Sequence, residues 1–284
     1  MKITVIGNGV MGAGIVETIL NNEFANEVTT LNWLARDVDK LNARFKFLSR
    51  KLTKTERKLG IEKFNSKVVL SKITLSDSFD TIIGSEIVIE AVSEDMNVKK
   101  EIIKKVSPYI DQNAILATNT SSYSITELAA QTNFPEQFVG LHFFNPAPIM
   151  NLVEIVRGLT TSEDVIRQAE SLSLRINKHP VIVNEAPGFI VNRMLIPMIN
   201  EAISIYAEGI ADLEEIDTAM KLGANHPIGP FALSDLIGND VVLSILSTLY
   251  TETGDSKYRP HTLLKKYVRA RRLGRKTKQG FYSY

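Results

Sequence analysis

Lys2-Ile3-Thr4-Val5-Ile6-Gly7-Asn8-Gly9-Val10-Met11-Gly12 follows the first methionine. A short β-branched run enters G-x-G-x-x-G directly, and an apolar helical pattern continues over residues 11–20. The motif carries weight in that order, strand then glycines then helix. Gly7 permits the tight turn, Gly9 lets the backbone approach a pyrophosphate, and Gly12 allows close packing of helix on strand. The helix N-terminus supplies oriented N–H groups for the phosphates. The stretch predicts a dinucleotide-binding turn with Gly7, Gly9, Met11 and Gly12 as its contacts. The plain alternative is a glycine turn with no ligand.

Working outward, strand-like runs recur at 28–35, 86–90, 114–118 and 138–141, with 181–183 as the last. Helical patterns fall between them, a basic one at 38–52 and another from about residue 97. Such alternation implies βαβ units and a Rossmann-type, mostly parallel sheet with helices on both faces. The character changes at 185–188. Beyond it the pattern is helical at 189–209, 213–222, 231–250 and 262–270, with Pro197 expected to kink the first of these. The expected fold is therefore α/β: a dinucleotide-binding domain over residues 1–186 and a smaller all-α domain over residues 187–284.

The 284 residues suit two such domains. Lys and Arg number 33 against 32 Asp and Glu, so bulk charge does not hold this chain to nucleic acid. The absence of cysteine excludes disulfides, thiolate metal sites and a Cys nucleophile, and four histidines argue against a His-rich metal centre. No apolar run reaches the roughly 20 residues needed to span a bilayer, and no signal-type segment opens the chain. A cytoplasmic protein is expected.

More specific segments follow in order: Asn119-Thr120-Ser121-Ser122, His142-Phe143-Phe144-Asn145-Pro146, Leu152-Val153-Glu154, Pro187-Gly188-Phe189-Ile190-Val191-Asn192-Arg193, Asn225-His226-Pro227-Ile228-Gly229-Pro230, and Gly274-Arg275-Lys276. Together they resemble the short-chain 3-hydroxyacyl-CoA dehydrogenases, most of all the bacterial 3-hydroxybutyryl-CoA branch, over essentially the whole chain. The resemblance implies NAD(P)-linked interconversion of acetoacetyl-CoA and (S)-3-hydroxybutyryl-CoA, and a homodimer formed by the helical domain.

Hydride transfer to or from a secondary alcohol needs a group that moves the hydroxyl proton, and histidine suits that near neutral pH. His142 stands at the end of an expected strand, and Glu154 lies twelve residues on in another strand-like run, where a short connection returns it to the histidine. A partner carboxylate would fix the ring tautomer and stabilise imidazolium. The family pattern places its catalytic His–Glu pair at these positions. By the same resemblance, Ser121 and Asn192 hydrogen-bond the substrate oxygen at C3, and Glu94, Lys99, Asn145 and Lys276 contact the cofactor. His179, His226 and His261 sit beside prolines in turn-like contexts and read as structural or solvent-facing. Lys54 and Lys58 are spaced i,i+4 on one helix face, which suits coenzyme A phosphates, and they match the family's CoA-contacting lysines.

The second strand departs from the common NAD pattern. An acid usually stands at its end and binds the adenosine ribose. Here Asp37 is expected to cap the next helix, which leaves Ala35 at the strand end followed by Arg36. A guanidinium without an acid suits a 2′-phosphate, so NADP(H) is favoured over NAD(H). An earlier strand end would put Asn32 at the ribose, and a later one Asp37. Two alternatives stand beside the acyl-CoA reading: a sugar-acid dehydrogenase of the same fold, and a non-catalytic dinucleotide-binding protein.

Overall fold

A computed structural model describes residues 1–284. The chain divides into two compact units, Met1–Glu185 and Ala186–Tyr284.

The first unit is built on an eight-stranded sheet. Its strands are β1 (Lys2–Ile6), β2 (Thr30–Leu34), β3 (Ile73–Ser76), β4 (Ile87–Glu90), β5 (Ile115–Thr118), β6 (Phe138–Phe143), β7 (Leu152–Arg157) and β8 (His179–Asn184), in the spatial order 3-2-1-4-5-6-7-8. Every pairing is parallel except β6 with β7. The strand order reverses at β1 and β4, where open α/β sheets bind ligands beyond the carboxyl ends of the strands. Helices α1 (Val10–Leu20), α2 (Val38–Leu59), α3 (Ser66–Ser71), α4 (Met96–Val106), α5 (Ile125–Ala129) and α6 (Glu163–Arg175) complete this unit. Ile3, Val5, Ile15, Ile19, Leu31, Trp33 and Ile89 are among its buried core.

Helix α2 continues past the expected residue 52 to Leu59. It ends at Gly60, whose φ of 87° suits glycine. Strand β2 is shorter than the expected 28–35, and Ala35 follows it while still donating its N–H to Ser76 O at 3.1 Å. Asp37 caps α2, as its sequence context implies, by accepting from Lys40 N at 2.9 Å. The segment α3–β3 and helix α6 had no counterpart in the sequence reading. His179 begins β8 and does not lie in a turn.

The second unit holds α7 (Val191–Ala207), α8 (Leu213–Gly223), α9 (Pro230–Ile237), α10 (Asn239–Thr253) and α11 (Thr262–Arg269). Its core includes Ile199, Ile203, Phe231, Leu246, Leu249 and Leu264. The single helix expected over 231–250 is two helices bent by 95° at Gly238, whose φ of 108° no helix accommodates. No single helix is long and apolar enough to cross a membrane. The chain end is fastened by buried Asp235, which accepts from Phe281 N and Tyr282 N, each at 2.9 Å.

Candidate active site

The glycine turn is set by close packing. Gly7 has φ 123°, and a Cβ there would stand 2.3 Å from Ala91 O, at the end of β4. A Cβ on Gly12 would stand 2.2 Å from Gly7 O. The fold itself thus requires these two glycines. Gly9 differs: it caps α1 with φ −67°, and a Cβ there would meet nothing within 4 Å. No side chain caps α1, and its first turn carries no acid. An exposed backbone, open space and a helix N-terminus without opposing charge fit a dinucleotide pyrophosphate. Beneath the turn, fully buried Trp33 donates its indole N–H to Gly7 O at 2.8 Å. The chain has one tryptophan, and nothing local in the sequence marks this contact.

The antiparallel step in the sheet produces the second feature. In the β6–β7 register His142 faces Glu154 directly, so both side chains leave the same face. His142 Nδ1 lies 2.7 Å from Glu154 Oε2, and both residues are buried. Where the carboxylate is ionised it only accepts, and the bond is then made with the proton on Nδ1. The Phe144 ring packs on the imidazole at 4.4 Å between centroids.

The carboxyl ends of β4 and β5 bring further charged groups together. Glu94 Oε1 accepts from Ser121 N (2.7 Å), Ser121 Oγ (2.9 Å) and Thr120 Oγ1 (2.7 Å). Lys99 is fully buried in α4 and pairs with both Glu90 and Glu94. Ser121 does not cap α5; Ser124 does, accepting from Glu127 N at 3.0 Å.

A cleft of about 210 Å³ lies between α1, α2 and the β6–β7 connection, with Arg44, Phe47, Lys51, Asn145 and Ile149 on its walls.

The chain's relatives agree with this layout. The family model described as 3-hydroxyacyl-CoA dehydrogenase, NAD binding domain, matches residues 2–186, and the C-terminal domain model of the same family matches 188–284. The chain belongs to the 3-hydroxyacyl-CoA dehydrogenase family. It is 50% identical, over its full length and 99% of the relative, to a 3-hydroxybutyryl-CoA dehydrogenase of Clostridioides difficile. It is 36% identical over 99% of its length to the human mitochondrial hydroxyacyl-coenzyme A dehydrogenase, of which 90% is covered. The crystal structure of (S)-3-hydroxybutyryl-CoA dehydrogenase from Ralstonia eutropha superposes with a TM-score of 0.92 at 41% identity, covering 100% of this chain and 98% of that one. Membership of this dehydrogenase family carries oxidation and reduction of a hydroxyacyl-CoA with a nicotinamide dinucleotide.

The remaining residues singled out from the dehydrogenase motifs are placed as follows. Asn145 is exposed beside the cleft, on the segment joining β6 to β7. Asn192 is half-buried in the first turn of α7, in the second unit. Lys276, also in the second unit, pairs with Asp240 at 2.5 Å. Arg36 is exposed just beyond β2. On α4, the hydrogen bond and charge of Lys105 hold the Glu101 carboxyl below its usual range, with a smaller contribution from the charge of Arg36. Lys54 and Lys58 are exposed along α2, but neither lines the cleft; Arg44 and Lys51, earlier in the same helix, do. Lys51 is paired with Glu17 at 2.7 Å.

Sequence reasoning also missed Lys178. Its buried ammonium donates to Ala147 O and Met150 O, at 2.6 and 2.8 Å, and so ties down the segment carrying Asn145. Burial pushes its pKa below the usual lysine value.

The contrast between the glycines can be checked by thermal unfolding and cofactor titration. Gly12→Ala should cost about 1–3 kcal/mol of stability through overpacking. Gly9→Ala should leave the melting temperature unchanged and weaken dinucleotide binding, because its methyl enters only the ligand's space. Wild-type cofactor affinity in Gly9→Ala would rule out a close backbone approach there.

Proposed function

We propose that the protein is an (S)-3-hydroxybutyryl-CoA dehydrogenase that uses NADP(H) and mainly reduces acetoacetyl-CoA. The observation that carries this reading is the 2.7 Å bond between His142 and Glu154 on facing strands. In alcohol oxidation, His142 Nε2 removes the hydroxyl proton while Glu154 stabilises the imidazolium; in reduction, the same nitrogen returns the proton to the forming alkoxide. The nicotinamide, when bound, supplies or accepts the hydride. The Gly7–Gly12 turn and the start of α1 hold the pyrophosphate, and the Ser121 hydroxyl orients the substrate oxygen at C3. The cationic face of α2, with Arg44 and Lys51 on the cleft and Lys54 and Lys58 beyond, suits the phosphates of coenzyme A.

The decisive assay follows NADPH and NADH oxidation with acetoacetyl-CoA. His142→Ala should lower kcat at least about 10²-fold, the scale of general acid–base catalysis, with cofactor affinity little changed. Near wild-type kcat in that variant would overturn the mechanism.

Three observations support NADP(H). Asn32 is buried and donates to Thr4 Oγ1 and Thr81 O, so it is engaged inside the sheet. The Asp37 carboxylate is occupied at the α2 cap. Ala35 and exposed Arg36 are the residues that follow β2. A charge-assisted hydrogen bond contributes about 1.5–3 kcal/mol, which corresponds to a preference of roughly 10–100-fold in kcat/KM for NADPH. Ala35→Asp combined with Arg36→Ile should reverse that preference and leave KM for acetoacetyl-CoA nearly unchanged. A wild-type enzyme that prefers NADH would refute it.

The second unit exposes Leu222 (82%), Met194 (73%) and Ile210 (66%), large apolar side chains suited to burial against a second copy. A homodimer is the expected state, and a monomer at micromolar concentration in light scattering would count against it.

A further inference from the structure

Glu90 closes β4 and is fully buried, yet no step of the reaction above uses it. Its carboxylate accepts from Val92 N at 2.7 Å, from Thr118 Oγ1 at 2.5 Å, and from Lys99 Nζ at 3.0 and 3.1 Å on its two oxygens. The Glu90–Thr118 contact follows from register, since the two residues face each other across the β4–β5 pairing. Lys99 then reaches Glu94 Oε2 at 3.3 Å. The other oxygen of Glu94 holds Ser121 by backbone N–H and hydroxyl, and Thr120 by its hydroxyl.

A fully buried ion pair is a poor means of stabilising a fold. Removing both charges from water costs several kcal/mol per ion, and an apolar pair of similar volume does as well. What the pair does achieve is order. The Glu94 side chain is 37% exposed, and on its loop it would otherwise turn to water. Lys99 holds one of its oxygens, which aims the other at the Ser121 segment. Lys99 itself cannot turn away, because Glu90 grips it with both oxygens.

We propose that Glu90 is a positioning residue for the reaction: through Lys99 it fixes the Glu94 carboxylate, and through Glu94 it fixes the Ser121 hydroxyl. The inference rests on Ser121 touching the substrate, as proposed above. Glu90→Gln keeps the shape and an acceptor for Thr118 but gives up the charge that holds Lys99. Ser121 then samples misplaced positions, and small displacements of a contacting group are costly to rate.

The test is a double-mutant cycle on the full-length enzyme with Glu90→Gln, Ser121→Ala and both together. The readouts are kcat/KM for acetoacetyl-CoA, the cofactor dissociation constant and the melting temperature. Glu90→Gln alone should lower kcat/KM about tenfold. In the Ser121→Ala background the same change should cost less than about twofold, because residues acting through one another are non-additive. Equal losses in both backgrounds would overturn the relay while leaving the role of Ser121 standing. Wild-type kcat/KM in Ser121→Ala would overturn both. If Glu90→Gln does not fold, Thr118→Val, which removes one donor to the Glu90 carboxylate, replaces it in the cycle and is judged by the same criterion.

Discussion

The bond between His142 and Glu154 depends on a single change of direction in a parallel sheet. Parallel neighbours need a crossover of a dozen or more residues, which separates their partners in sequence. Strands β6 and β7 instead form a hairpin, so residues twelve apart meet side by side on one face. The carboxylate needs no mobile loop to find the ring, and both partners are held by ladder hydrogen bonds. Buried as they are, the pair keeps its geometry without competition from water. The segment joining the strands is held too, by Lys178 from below and by α1, where a Cβ on Gly14 would stand 3.1 Å from Ala147 Cβ.

The glycine turn and the charged groups beyond β4 share a support. Gly7 packs on Ala91 O, and Ala91 follows Glu90 in the chain. The backbone that shapes the dinucleotide turn is thus one residue from the carboxylate that anchors Lys99. Rigid contact at the end of β4 therefore serves both sides of the crevice, and this is the place where strand order reverses.

Much of this was legible in the sequence because the signals are local. G-x-G-x-x-G after a β-branched run fixes a strand, a turn and a helix within a dozen residues. The twelve-residue spacing of His142 and Glu154 is readable once both are placed on strands. The α9–α10 pair was misread because the apolar pattern runs on through Gly238, and a lone glycine does not reveal its dihedral angles. Strand β3 is four residues long with no buried pattern of its own, and it exists because β2 offers it an edge. The sequence context of Lys99, Lys178 and Glu90 gives no sign that these charged residues are buried. Their partners lie on other elements, and only the folded chain brings acceptors to them. Trp33 is legible as a core residue but not as a donor to Gly7.

That indole has a practical consequence. The chain's single tryptophan lies in the first unit, fully shielded from water and bonded to the nucleotide-binding turn. Its emission is therefore a site-specific optical probe of that turn, set in an apolar surround that shifts it to shorter wavelength. Loss of structure confined to the helical unit would pass unseen in tryptophan fluorescence and still register in far-ultraviolet circular dichroism. A gap between the two signals on heating would thus time the melting of one unit against the other without any label.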